Sequence, residues 1–180
     1  MIWLTRISFL ETARDLGDGD LISTARWAYD RLHLAAFSEM PDGSESGFHP
    51  CDAMWEGHDL ALAAYAQALC VESGYRGAPS PVSRDILKVA EMIQGAGDRF
   101  KMPDWIGDTD ILRSHRSNMA RRWPTAYGEK WGKIDKNWPY LWPAFVEGGW
   151  VLRLSKHDKD LMYSGARSLP SAILERIENV

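Results

Sequence analysis

Four stretches of this chain repeat apolar side chains every three or four residues, the spacing that lines them along one face of an α-helix. Leu21, Ala25, Ala28, Tyr29, Leu32, Ala35 and Ala36 set the first, expected over 20–37. Leu60, Ala61, Ala64, Tyr65, Ala68 and Leu69 set a second, from 57 or 58 to 72, where Gly74 is the expected terminator. Ile86, Val89, Ala90 and Ile93 set a third over 83–94, with Ser83 as its expected cap. A fourth runs from 109 or 110 to 122 and stops before Pro124. Between them, 41–47 and 77–81 read as loops, and 123–143, rich in aromatics and prolines, as irregular chain. A short strand is expected at 151–154 and a closing helix at 171–178. The fold class is therefore mainly α, a single helical bundle with an irregular, aromatic-rich C-terminal part.

The chain has 180 residues, enough for one domain with a real core. No run of 18 apolar residues is present, and the first residues lack the basic and apolar regions of a signal peptide. Two cysteines, Cys51 and Cys70, then read as reduced thiols of a cytoplasmic protein. The absence of a Walker loop, a G-x-G-x-x-G and a G-x-S-x-G removes support for nucleotide hydrolysis and serine-hydrolase chemistry.

Charge is distributed unevenly. The chain carries −4 overall, yet residues 113–136 hold seven cations (Arg113, Arg116, Arg121, Arg122, Lys130, Lys133, Lys136) against Glu129 and Asp135. A local excess of +5 on an acidic body draws a polyanion to one face, although a solvated helix face with no partner has the same composition. On the fourth helix, Ile111, Leu112, His115 and Met119 share a sector, Arg116 lies at its margin, and Arg113 and Ser117 lie farther round. An arginine there can pack its stem and present its fork to phosphate. Trp123, Tyr127, Trp131 and Trp138 interleave with Arg122, Lys130, Lys133 and Lys136, which suits stacking on unpaired bases as well as a plain core.

Two further groups could carry chemistry. Arg26, Asp30 and His33 line one face of the first helix, either as a general acid or base site or as a solvated ion-pair row. His49, Cys51, Trp55, His58 and Asp59 lie close together ahead of Cys70, but they match no zinc spacing, and no metal or other cofactor is expected.

The order of His49-Pro50, Met54-Trp55-x-Gly57-x-Asp59-x-Ala61-Leu62-x-Ala64-Tyr65, Trp105-Ile106-Gly107-Asp108, Ser114-His115-Arg116-Ser117, Pro124 with Tyr127, and Tyr140-x-Trp142-Pro143 resembles the bacterial and phage pyrimidine-dimer DNA glycosylase/AP-lyase family, especially its actinobacterial branch. The resemblance covers residues 1–143, so 144–180 is expected to be an extension packed on the same domain. It implies DNA as partner, a flipped nucleotide, and attack on the sugar C1′ by an N-terminal amine. Such an amine, with a pKa near 8, is partly neutral at neutral pH. In the characterised phage member that amine belongs to a threonine exposed by methionine removal. Here Ile2 is too bulky to favour removal, so Met1 supplies it; Thr5-Arg6-Ile7, which resembles the phage start, lies internally. Arg26 matches a first-helix arginine, and Asp30 is the nearest acid to the glutamate of the family. On this resemblance Met1, Asp30 and Arg26 are the catalytic candidates. His49, Trp55, Arg113, Ser114, His115, Arg116, Ser117, Arg121, Arg122 and Lys130 are the candidate DNA contacts. A monomer acting on DNA, with no membrane, is expected. The alternatives are a base-modifying enzyme on the same scaffold and a DNA-binding module without catalysis.

Overall fold

The structure, a computed structural model, describes residues 2–38, 54–147, 149–154, 156–165, 169 and 171–177. It is mainly α-helical, with one small sheet among the described residues. The chain gathers into two compact units, Met1–Ile106 and Gly107–Val180. The border expected at 143/144 falls inside a strand of the second unit. No helix among the described residues is long and apolar enough to cross a membrane.

The first unit holds α1 (Phe9–Asp15), α2 (Asp18–Phe37), α3 (Asp59–Tyr75) and α4 (Ser83–Gly95). Helix α3 packs against the other three. Its buried Ala61, Ala63 and Ala66 let neighbouring backbones come close, while Leu62, Tyr65 and Leu69 fill the space between. Ile2, Trp3 and Leu4 run through this interior, and the Tyr65 hydroxyl donates to the Trp3 carbonyl. The Trp55 ring stacks on Tyr65 (5.8 Å, 20°) and meets Trp105 edge-on at 5.2 Å.

Helix α1, absent from the periodicity reading, is only seven residues long and is held by side chains. Ser8 caps its start by accepting from Glu11 N–H, and Thr12 Oγ1 accepts from the Thr5 and Arg6 amides. At its other end the Arg76 guanidinium donates to the Ala13, Arg14 and Leu16 carbonyls, to Asp18 and to Glu72. One arginine thereby satisfies carbonyls that the end of α1 leaves open and fixes α1, α2 and α3 together.

Helix α3 continues through Gly74 to Tyr75, so the expected stop there is corrected. The turn is made by Gly77 at φ +80°, with Gly77 N–H donating to Gly74 O and Ala78 N–H to Ser73 O. These two bonds define a Schellman ending. Gly97 ends α4 in the same way, its N–H donating to Gln94 O and that of Asp98 to Ile93 O. Ser83 is the first residue of α4 and makes no side-chain cap, which corrects its expected role.

The second unit is built on α5 (Thr109–Arg122) and α6 (Pro124–Tyr127), followed by β1 (Leu141–Val146), β2 (Gly149–Leu154), α7 (Lys156–Tyr163) and α8 (Ser171–Leu174). The strands pair antiparallel, Leu141 opposite Leu154 and Val146 opposite Gly149. The expected strand at 151–154 is thus the last four residues of β2, and the closing helix ends at Leu174. Strand β1 went unread because Pro143 sits inside it, a residue that sheets accept only where a strand edge is unpaired, as a two-stranded sheet provides. Asp108 caps α5, its Oδ1 accepting from Asp110 and Ile111 N–H at 3.0 and 3.1 Å. Segment 144–180 is integral to this unit: Leu152 bridges Ile177, and Leu152 N–H donates to Arg176 O.

Candidate nucleic-acid interface

Helix α5 is polar for its length, and its inward face explains why. Ser114, His115, Ser117 and Asn118 are all buried beside Ile111, Leu112 and Met119. Ser114 Oγ accepts from Leu141 N–H at 2.5 Å. Ser117 Oγ donates to the carbonyls of Asp135 (2.6 Å) and Trp138 (3.3 Å), and Asn118 Nδ2 to those of Ser114 and Trp138. Arg121 adds bonds to the Lys136 and Trp138 carbonyls and to Asn118 Oδ1. The polar face of α5 therefore anchors segment 135–141. Loop carbonyls and amides brought inside need such partners, since an unmet buried backbone group costs about 1–3 kcal/mol.

Of the basic segment, three side chains turn inward. Ser114, His115 and Ser117 are enclosed and line no surface; Ser117, expected outside the apolar sector, is drawn in by the two carbonyls it serves. His115 lies in the sector expected for it, stacked on Tyr140 at 4.8 Å and 17°. Burial pushes its imidazole pKa down to about 3, against a smaller opposing effect of a backbone hydrogen bond at Leu141. A histidine so placed is a neutral packing group at physiological pH. Arg116 is half-buried and donates to the Leu112 carbonyl of its own helix.

The exposed cations lie elsewhere in the same unit: Arg113, Arg122, Lys130, Lys133 and Lys136. Arg113 rests its guanidinium 3.8 Å above the Trp138 ring, which orients the charge without neutralising it. Among the described residues Lys130, Lys133 and Lys136 make no ion pair. Lys130 and Lys136 border an open hollow of about 560 Å³ beside Pro124, Thr125 and Glu129. A second hollow of about 420 Å³, also bordered by Lys136, brings in Lys133. Three aromatic rings stand beside this charge. Trp123 is 38 % exposed and meets Tyr127 edge-on at 6.1 Å, and Tyr127 stacks on Trp131 at 5.5 Å and 4°.

In the first unit, Arg26 Nε lies 2.9 Å from Asp30 Oδ1, an i,i+4 pair on the partly exposed face of α2. His33 is not part of that pair; it packs between Tyr29 (5.8 Å) and Phe37 (4.5 Å). Trp55 is fully buried in the aromatic core, which corrects its assignment to a DNA-contacting surface. Met1, His49 and Cys51 lie outside the described residues. The Thr5 nitrogen is a buried amide donating to Thr12 Oγ1, and its hydroxyl donates to Asp15.

Sequence reasoning passed over one pairing. Asp59 sits 3.8 Å from Arg31 Nη1, both largely enclosed, and burial raises its carboxyl pKa while Arg31 opposes the rise. Nothing in local spacing pairs residue 31 with residue 59. Lys133, Lys136 and Trp123, which the alternation of aromatic and basic residues marks in the sequence, are absent from the contacts that the resemblance implies, yet all three are exposed.

Among the described residues no group of three or more His, Cys, Asp or Glu side chains is placed to hold a metal. No family model, no curated protein and no solved structure matches this chain.

Proposed function

We propose that this protein binds DNA through the exposed cations of its second unit and processes a base held out of the stack, in the manner of a glycosylase/AP lyase. The observation that carries the binding half is the set of exposed Arg113, Arg122, Lys130, Lys133 and Lys136 on a chain of net charge −4. Phosphate neutralisation by such a set supplies affinity without sequence information.

The chemical half rests on the sequence resemblance. In it, the neutral Met1 amine attacks C1′ and the base departs with the glycosidic electron pair, taking up a proton. The amine loses its protons as the sugar ring opens to an imine. Removal of a C2′ proton then expels the 3′ phosphate. Asp30 would stabilise the cationic sugar, and Arg26 would hold the carboxylate in place, as the 2.9 Å pair does at rest.

A second reading, a DNA-binding module without catalysis, draws on the same pair. Asp30 already spends its charge on Arg26, and the only threonine nitrogen resembling the phage nucleophile is a buried amide.

The test is borohydride trapping of the full chain on duplexes carrying an abasic site or a pyrimidine dimer. A covalent band with strand cleavage is the expected result. Salt-sensitive binding with no band and no released base leaves the module, and a product of increased mass points to base modification. Absence of binding to any DNA removes the whole reading.

A further inference from the structure

We infer that the second unit takes unpaired nucleic acid, one base stacking on Trp123 while the flanking phosphates sit at the hollows bordered by Lys130, Lys133 and Lys136. This rests on the DNA-binding reading and adds the strand state that the surface selects.

The Trp123 backbone is fixed from both sides. Its N–H donates to Met119 O at the end of α5, and its carbonyl accepts from Ala126 and Tyr127 N–H at the start of α6. Pro124 follows, which disfavours helical dihedrals at residue 123 and matches its φ of −131° and ψ of 67°. The side chain is equally constrained, because buried Tyr127 stands edge-on to it and is itself backed by Trp131. An indole that remains 38 % exposed while held this way is a preorganised stacking surface.

Charge sits beside it in a pattern suited to a backbone. Arg122 precedes the ring in sequence, and Lys130 and Lys136 border the hollow that Pro124 and Thr125 also line. Lys136 is shared with the adjoining hollow, where Lys133 continues the track. In an intact duplex base faces are covered by their neighbours, so a fixed indole gains nothing from them. A single strand or an extruded nucleotide offers both face and phosphate, and stacking on an aromatic ring is tolerant of base identity.

The test compares binding of the full chain to an oligothymidylate of about 15 nucleotides and to the same strand paired with oligoadenylate. The single strand is expected to bind about tenfold more tightly. Trp123→Ala should lose about tenfold on the single strand and leave duplex binding within about twofold, whereas Trp123→Phe, which keeps a ring, should stay within about threefold of the parent on both. Lys136→Ala should weaken both and lower the salt slope by about one.

Equal affinity for the two strand states, or a Trp123→Ala protein that binds the single strand as the parent does, overturns the inference and leaves DNA binding standing. The same follows if both tryptophan variants weaken single strand and duplex alike. Failure to bind either oligonucleotide overturns the DNA reading along with it.

Discussion

Arg176 Nη1 and Asp110 Oδ2 stand 2.8 Å apart across 66 residues of chain, and the second arm of the same guanidinium reaches Asp108 Oδ2. Asp108 uses its other oxygen to cap α5, so one carboxylate joins the helix start to the end of the chain. The arginine also lies 5.5 Å from the Trp150 ring. These contacts make 144–180 a working part of the second unit, since they hold the first turn of the helix that anchors the basic loop. Arg176→Ala should lower the unfolding free energy by about 1–2 kcal/mol, at the low end because solvent reaches the pair. Arg176→Lys should recover less than half, as an ammonium cannot fork between two carboxylates. Urea midpoints of the three proteins measure this, and coincident midpoints would show the pair to be idle.

Gly74 and Gly77 separate what periodicity reads from what it does not. Both follow Cys70, the last buried apolar residue of α3, within seven positions, and spacing alone favours the nearer one. The choice is made by Ser73 O and Gly74 O, which are capped only when residue 77 turns left-handed. A Cβ at either position meets nothing within 4 Å, so conformation alone decides the cost. Gly77→Ala should destabilise by about 1–2 kcal/mol and Gly74→Ala should stabilise by about 0.5–1 kcal/mol. Opposite shifts in thermal midpoint are the expected reading; a fall in both would place the turn elsewhere.

The same contrast holds for the candidate site. Four helices were legible because their stripes are local, and the inward placement of His115 followed from the wheel. The inward turn of Ser114 and Ser117 did not, because their partners at Asp135, Trp138 and Leu141 are 18 to 27 residues away. Trp55 shows the reverse error: the resemblance implies a DNA contact there, whereas Tyr65 and Trp105 pack around it in the core.

His115 gives the second unit a dependence on acid. Its folded pKa of about 3 lies below the ordinary value of 6.5, so the unfolded chain binds the proton more readily. The stability this contributes is present above pH 6.5 and is lost as pH falls toward 3, at up to about 1.4 kcal/mol per unit. Between pH 7 and pH 5 the loss from this group should be about 2 kcal/mol. His115→Phe keeps a ring against Tyr140 and removes the titration, so its urea midpoint should fall less over the same interval. Parallel pH curves for parent and variant would mean the imidazole is solvated enough to titrate normally.

Asp30 offers the sharpest division between enzyme and module. The Arg26–Asp30 pair is exposed and one turn long, so Asp30→Asn should cost about 0.3–0.5 kcal/mol of stability and leave the fold intact. DNA affinity should hold or rise slightly, because a negative charge is removed. On the glycosylase/lyase reading the same change should lower the rate of covalent trapping by about a hundredfold or more, since the cationic sugar loses its counter-charge. Arg26→Ala should lower trapping less, by about tenfold, through a carboxylate left without its guide. Trapping by the Asp30→Asn protein at the parent rate would remove Asp30 from the reaction and leave the pair as a surface ion pair of α2.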